Sequence, residues 1–229
     1  MENAFLIVAT FCAFVLFLGA IIWLGSHFEK KRTEALRAVA TDIGLEFLAT
    51  KDEELLAKMN AFPLFNKGRS RKIKNVMTTE TDIARLTIFD YQYTTSSGKN
   101  SHTHHHTVVS MESDALSLPH FSLSPEGFFQ RVGAAIGMQD IDFEDHPEFS
   151  SSFVLKADNE QSVRMFFDAE VLKFLAQRKG ICVESVPGAF IYFLGARRKP
   201  EQVHEFMNEA FTIYSAFAER LSRTTSSSN

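Results

Sequence analysis

The sequence predicts an α+β protein that is anchored in a membrane by one N-terminal helix. Three observations indicate this fold class: an uncharged apolar run over residues 4–25, three consecutive segments rich in β-branched and aromatic residues, and a long amphipathic segment near the C-terminus. With 229 residues, 45% hydrophobic and 23% charged, the chain has the composition of a globular protein with a sizeable core. We expect an antiparallel sheet packed with helices.

The apolar run from Ala4 to Gly25 predicts a transmembrane helix. Its 22 residues carry no charge, and they would form a helix of about 33 Å, enough to cross a hydrocarbon core of about 30 Å. A cleaved signal peptide is the alternative, but residues 1–3 contain no Lys or Arg and no small-x-small cleavage site follows. We predict an uncleaved anchor, with Ala9 and Ala13 as a small-xxx-small step for a possible homo-oligomer.

The basic residues predict the orientation of this anchor. All 24 Lys and Arg residues follow the apolar run, and Lys30, Lys31 and Arg32 come directly after it. By the positive-inside rule the C-terminal body is cytoplasmic and the N-terminus lies outside, which places the chain in the inner (plasma) membrane. The only two cysteines, Cys12 and Cys182, exclude a disulfide framework and fit a reducing compartment.

The elements after the anchor follow from composition and hydrophobic period. Residues 26–43 predict a juxtamembrane helix or stalk, and Leu45 to Ala49 predict a short strand. Thr50 and Glu53 form a capping box that predicts the next helix. Three antiparallel strands are then predicted, over Arg71–Thr79, Asp82–Thr95 and His102–Met111.

The C-terminal half predicts two strands, two helices, a hairpin and a closing amphipathic helix. In chain order these are a strand at Pro119–Leu123, a helix capped by Ser124 through about Ile136, a strand at Ser151–Ala157, a helical stretch capped by Asp158 through about Gln177 with a break near Asp168, the hairpin Ile181–Val186 and Ala189–Gly195, and the helix Pro200–Leu221. We interpret residues 44–222 as one cytoplasmic domain, and residues 223–229 as a disordered tail. A split near residues 139–150 is the alternative.

The order of these parts resembles a group of uncharacterised bacterial single-pass membrane proteins of unknown function. The resemblance covers nearly the whole chain and is carried by four segments: Lys31–Phe47, Phe62–Val76, Phe89–Lys99 and Ile141–Phe153. It implies a membrane location, and it brings no catalytic residues that could be assigned to positions of this chain.

Charge and motifs exclude several classes of function. With 28 acidic against 24 basic residues the net charge is -4, which argues against a nucleic-acid-binding protein. The sequence has no Gly-x-Ser-x-Gly, no phosphate-binding glycine loop and no His-Glu-x-x-His, and Cys182 has no nearby histidine that would activate it. We therefore expect no cofactor, and a binding or interaction module rather than an enzyme.

The histidines of one predicted strand are the candidate metal ligands. His102, His104 and His106 share one face because side chains alternate along a strand, whereas His105 points the other way. If the turn centres on residues 98 and 99, Tyr91 opposes His106 and Tyr93 opposes His104. The principal interpretation is a solvated or aromatic-stacked strand face. A metal-binding protein or enzyme using residues 102–106, or a pH-sensing cluster, is the alternative.

A basic stretch runs into the start of the first long strand and is the candidate contact for lipid or a protein partner. It places five cations within eight residues and no acid among them: Lys67, Arg69, Arg71, Lys72 and Lys74. On a domain tethered to the cytoplasmic leaflet, such a stretch is expected to attract anionic headgroups. The alternative is edge protection, in which cations block the addition of a further strand to the sheet.

Overall fold

The computed structural model describes residues 2–98, 100–128 and 137–226, and it confirms the α+β fold class. The strands are β1 Glu46–Leu48, β2 Arg69–Glu80, β3 Arg85–Ser97, β4 Asn100–Glu112, β5 Phe121–Ser124, β6 Gln139–Asp140, β7 Val154–Ala157, β8 Ile181–Val186 and β9 Ala189–Leu194. The helices are α1 Glu2–Asp42, α2 Glu53–Met59, α3 Pro147–Ser150, α4 Glu160–Phe166, α5 Ala169–Ala176 and α6 Val203–Ser226, with 3-10 turns at Pro63–Asn66 and Pro200–Gln202.

The nine strands of the described residues belong to one sheet in the order β1-β2-β3-β4-β9-β8-β5-β7-β6. Every pair of neighbouring strands is antiparallel. The loop considered as a domain boundary, residues 139–150, contains β6 and α3, and β6 pairs with β7. The sheet is therefore continuous across this part of the chain.

The anchor and the predicted stalk form one uninterrupted helix, α1, that ends at Asp42 and is followed by Gly44 with a φ of +74°. Among the described residues, α1 is the one helix long and apolar enough to cross a membrane, and its apolar part is not buried against the rest of the protein. The stalk part packs on the sheet through Leu36 and Ala40, which are 1% and 0% exposed. The domain is thus joined to the anchor through a packed helix.

Side chains on the two faces of the sheet form separate cores. On the face covered by the stalk, α5 and α6, apolar side chains of β3, β4 and β9 pack against the buried stripe of α6: Val203, Phe206, Ala210, Ile213 and Phe217. On the opposite face, α2 and the first 3-10 turn cover Phe89, Tyr91, Tyr93 and Phe193. The closing helix predicted from its three-and-four period therefore packs on the sheet as expected.

Several helix starts and ends differ from the prediction because other side chains supply the caps. Asp52, not Thr50, caps α2 by accepting a hydrogen bond from the backbone N–H of Leu55 at 2.8 Å. Asn159 rather than Asp158 caps α4. The break predicted near Asp168 is confirmed, because the Asp168 side chain caps α5.

At the ends of two further elements the observed bounds also depart from the prediction. The residues predicted as a tail from Arg223 continue α6 to Ser226, where Arg223 forms ion pairs with Asp168 and Glu170. Ser124, predicted as a helix cap, is the last residue of β5. The helix predicted after it, through Ile136, lies for most of its length outside the described residues.

Candidate functional site

A buried carboxylate connects the sheet to the anchor helix. Asp90 in β3 is 1% exposed, and Arg32 of α1 donates two hydrogen bonds to it, at 2.8 Å to Oδ2 and 2.7 Å to Oδ1. The Asn75 side chain donates to Asp90 at 2.9 Å and the Thr107 hydroxyl at 3.3 Å. A charge can be buried here because it is paired and hydrogen-bonded. Asp90 therefore holds α1, β2 and β4 at one point.

The groups around Asp90 are themselves held by further hydrogen bonds. Arg32 also donates to the carbonyl of Arg198 at 2.8 Å, and the Arg198 backbone N–H donates to the Thr107 hydroxyl at 3.0 Å. The Thr33 hydroxyl donates to Oδ1 of Asn75 at 2.9 Å. Asn75 has a φ of +53°, a region that Asn adopts more readily than most residues.

An ion-pair group lies closer to the anchor on the same face. Arg197 donates to Glu29 at 2.6 Å, and Lys74 forms a further ion pair with Glu29. Partial burial acts to raise the pKa of Glu29, but hydrogen bonds from Arg197 and Lys74 outweigh it and lower the pKa to about 2. We call the whole network the anchor clamp and define it by Glu29, Arg32, Thr33, Lys74, Asn75, Asp90, Thr107, Arg197 and Arg198.

The histidine strand pairs with β3 in the predicted register. Tyr91 lies opposite His106, and Tyr93 lies opposite His104. The rings of His104 and His106 both stack on Tyr93, with centroids 4.7 and 5.8 Å away, so the predicted aromatic-stacked face is observed. His105 is on the other face, where burial and the charge of Arg197 lower its pKa.

The ring nitrogens of these histidines are partly engaged by the protein itself. Nε2 of His104 is 2.8 Å from the Thr95 hydroxyl, and Nδ1 of His106 donates to the carbonyl of Leu194 at 2.9 Å. Burial lowers the pKa of His106 to about 4, so the ring is neutral at pH 7 and Nε2 carries a lone pair. Within the described ranges, no three His, Cys, Asp or Glu side chains are grouped as metal ligands would be.

A buried polar group that the sequence did not indicate lies on the same face as His106. Glu184 in β8 is 2% exposed, accepts a hydrogen bond from the backbone N–H of Leu64 at 2.8 Å, and has its pKa raised by burial. Burial also lowers the pKa of Lys67. Among the described residues, the hydroxyls of Tyr91 and Tyr93 are buried without a hydrogen-bond partner.

Two of the five cations in the basic stretch are used inside the protein. Arg71 donates to the carbonyl of Phe65, and Lys74 belongs to the anchor clamp. Lys67 is partly buried, with its ammonium over the ring of Phe128 at 5.3 Å. Arg69 is exposed, and Lys72 is partly exposed. The contact surface predicted for Lys67, Arg69, Arg71, Lys72 and Lys74 is therefore reduced chiefly to Arg69 and Lys72.

The cations of the basic stretch do not alternate strictly between the two faces of the sheet, because β2 is irregular near its start. Arg71 faces the 3-10 turn and Lys74 faces α1, as expected for opposite faces. The pairing of β2 with β3 shifts register between Arg69 and Lys72, where Ser70 has a φ of +52°. This irregularity separates Arg69 from the alternation that places Arg71.

Two open clefts lie at the far end of β2, β3 and β4, away from the basic stretch. They have volumes of about 660 and 730 Å³, and they share Glu80, Arg85 and Glu112 in their linings. Neither lining contains a His or Cys. The clefts therefore offer charge and shape, but no nucleophile paired with a histidine base.

Asp90, Asn75 and Glu184 are the residues of this region that sequence reasoning missed. Asp90 gives the clearest available signal, because it is a lone carboxylate within the apolar run from Leu86 to Tyr93. A charge at such a position indicates a buried partner. Its partner Arg32 is 58 positions away in sequence, where it was interpreted only as a topology signal.

The fold is similar to that of a solved protein, the mycobacterial trehalose monomycolate transport factor A, TtfA. The crystal structure of TtfA matches with a TM-score of 0.60 and 11% sequence identity, over 83% of this chain and 94% of that chain. No family model matches the sequence, and no curated protein matches it. At 11% identity, the likeness concerns the arrangement of the sheet and helices and assigns no family.

Proposed function

We propose that the chain is a membrane-anchored interaction module that presents its domain in a fixed orientation to a partner protein in the same membrane. The anchor clamp carries this proposal. A domain that only needed to be kept near a membrane could be joined by a flexible linker, whereas here Arg32 and Asp90 fix the helix to the sheet. Such preorganisation reduces the entropy lost when a partner binds.

The process we assign to this module is a membrane transport process, in which it acts as an accessory factor. The support is the shared fold with TtfA, whose name describes a transport factor, together with the apolar N-terminal helix. We assign it a binding role without chemistry, because the polar groups of the anchor clamp connect elements of the fold to one another. The alternative centred on the histidine strand gains no support from the stacking of His104 and His106 on Tyr93.

The proposed topology has the N-terminus outside and the domain in the cytoplasm, in the inner membrane. Lys30, Lys31 and Arg32 directly after the apolar run support it. A reporter enzyme that is active only outside the cytoplasm, fused after Asn229, should be inactive in cells. High activity of that fusion would reverse the orientation.

Photo-crosslinking tests whether the module has a partner that depends on its fixed orientation. A photoreactive residue at Glu34 or Ala38, both exposed on the stalk, should form a discrete adduct with another membrane protein. A flexible Gly-Ser linker inserted between Ser26 and His27 leaves the anchor clamp intact but uncouples it from the membrane, and should abolish the adduct.

The matched control carries the same linker after Asn229, where it changes neither the anchor nor the clamp, and it should retain the adduct. An adduct that survives the linker at residues 26–27 would mean that tethering alone is sufficient. Absence of any adduct with a membrane protein from both stalk positions would overturn the proposed function.

A further inference from the structure

The anchor helix and strand β3 run in opposite directions along the sheet. Near the anchor, Arg32 meets Asp90 in the middle of β3. Farther along, α1 ends at Asp42 and leads into β1, which pairs with residues 76–78 of β2. Residues 77–79 in turn pair with residues 86–88 of β3, which precede Asp90. Residues of α1 that are farther from the membrane are therefore also farther from the β3–β4 turn.

Chain lengths place the β3–β4 turn at the membrane surface. Arg32 lies seven residues after Gly25, which is about 10 Å of helix. Beyond Asp90, β3 continues for seven residues to Ser97, which is about 23 Å of strand. The headgroup layer adds about 5–7 Å outside the hydrocarbon core. A strand parallel to the helix axis would carry the turn about 13 Å past the level of Gly25, so the strand is long enough for the turn to rest in this layer when it leans strongly away from the helix axis.

Arg69 and Lys72 of the basic stretch lie near the β3–β4 turn, on the side of Asp90 that faces the membrane. Lys72 pairs with Gln92 and Arg69 with Thr94, so both lie between Asp90 and the turn. The segment from residue 92 to residue 103 contains no Asp or Glu. Lys30 and Lys31, exposed on α1, add positive charge beside the anchor.

We propose that this end of the sheet is a second membrane contact, which rests on the anionic headgroups of the bilayer that α1 enters. We call it the membrane-facing edge and define it by Arg69, Lys72, residues 94–98 and residues 100–103. Gly68 allows the chain to pass close to Thr94 at this edge. Its φ is +61°, and a Cβ there would lie 2.4 Å from the carbonyl oxygen of Thr94. The contact is independent of any protein partner, so it adds to the proposed function without relying on it.

A fluorescent label tests the placement. In the full chain with Cys12→Ser, the label is attached at Ser101→Cys on the membrane-facing edge or at Asp82→Cys in the β2–β3 turn at the far end. The chain is inserted in nanodiscs that contain lipids with a nitroxide on the headgroup. The label at residue 101 should be quenched strongly and the label at residue 82 weakly. Equal quenching at the two positions would overturn the proposal.

Charge removal tests the chemistry of the contact. One close cation strengthens binding to an anionic surface about fivefold, so Arg69→Gln with Lys72→Gln should weaken it about 25-fold. Quenching at residue 101 should be stronger in nanodiscs with phosphatidylglycerol than in purely zwitterionic ones, and this difference should disappear in the double variant. It should also fall as salt rises.

The matched control also removes two positive charges, but from the far end of the sheet. Lys58→Gln with Arg85→Gln changes exposed residues whose ion pairs, with Glu112 and Glu80, contribute little to stability. This variant should keep the response to anionic lipid. Loss of the response in the control, or its persistence without Arg69 and Lys72, would refute the assignment and leave edge protection as the role of these cations.

Discussion

The anchor clamp predicts that Arg32→Ala destabilises the protein far more than the loss of another arginine on the same helix. Asp90 is 1% exposed and would lose both Arg32 hydrogen bonds. Removal of one partner from a buried pair costs about 3–5 kcal/mol. Asn75 and Thr107 still donate to Asp90 after the change, so we expect a loss near the lower limit, about 3 kcal/mol.

Arg37→Ala is the matched control for this prediction. Arg37 lies one turn farther along α1, its side chain is 48% exposed, and its ion pair with Glu34 has an N–O distance of 3.6 Å. Its guanidinium also lies 4.7 Å from the ring of Phe47. Exposed contacts of these two kinds contribute up to about 1 kcal/mol each. The free energy of unfolding should therefore fall by at most about 1–2 kcal/mol in this variant.

Denaturant unfolding of the full chain in detergent micelles, followed by circular dichroism, measures both losses. Fluorescence is unsuitable, because the only tryptophan, Trp23, lies in the anchor. Asp90→Asn should cost less in the Arg32→Ala background than in the wild type, since the neutral amide leaves no unpaired charge. Equal losses for the two arginine variants, or additivity within about 0.5 kcal/mol in the cycle, would refute the reasoning.

Three further predictions follow from individual buried or strained positions. Burial lowers the pKa of His106 from 6.5 to about 4, so the unfolded chain binds the proton at a higher pH than the folded protein does. The free energy of unfolding should therefore decrease by about 3 kcal/mol as the pH falls from 6.5 to about 4. In His106→Phe the decrease should be smaller by about this amount, as measured by denaturant unfolding at a series of pH values, because only other titrating groups such as Glu29 and His105 then contribute. Gly68→Ala should lower the melting temperature more than Gly44→Ala, because both have positive φ but a Cβ meets a backbone oxygen only at Gly68. In the Cys12→Ser variant, which removes the exposed cysteine, Cys182 should resist maleimide until the protein is unfolded, because it is 1% exposed and burial raises its pKa. Rapid labelling of this variant in its native state would contradict the position of Cys182 in the core.

Local patterns were sufficient to predict the long antiparallel pairs and the closing helix. A turn near residues 98 and 99 fixes which residues of β3 and β4 face each other, because the side-chain period in strands is two. Tyr93 opposite His104 follows directly from that turn. The stripe of α6 is equally local, since its buried positions recur every three or four residues.

The anchor clamp could not be predicted, because its members meet only in the folded chain. Arg32 and Asp90 are 58 positions apart, and each has a plausible local explanation: Arg32 as a topology signal, Asp90 as a polar strand residue. Asn75 adopts a positive φ inside a strand. Asn adopts this region more readily than most residues, but no local pattern in the sequence marks this position. The pairing of Lys74 within the basic stretch could not be predicted for the same reason, since its partner Glu29 belongs to a different element.

The anchor clamp reduces the binding energy that the membrane-facing edge has to supply. Two cations strengthen contact with an anionic surface by only about 25-fold, which is little for a domain that would first have to lose its freedom to rotate on a linker. Arg32 and Asp90 remove most of that freedom when the protein folds, so the bilayer needs to supply only a small additional interaction. Once the clamp is broken in Arg32→Ala, the same two charges should therefore hold the edge to the membrane less well, although neither Arg69 nor Lys72 has been changed.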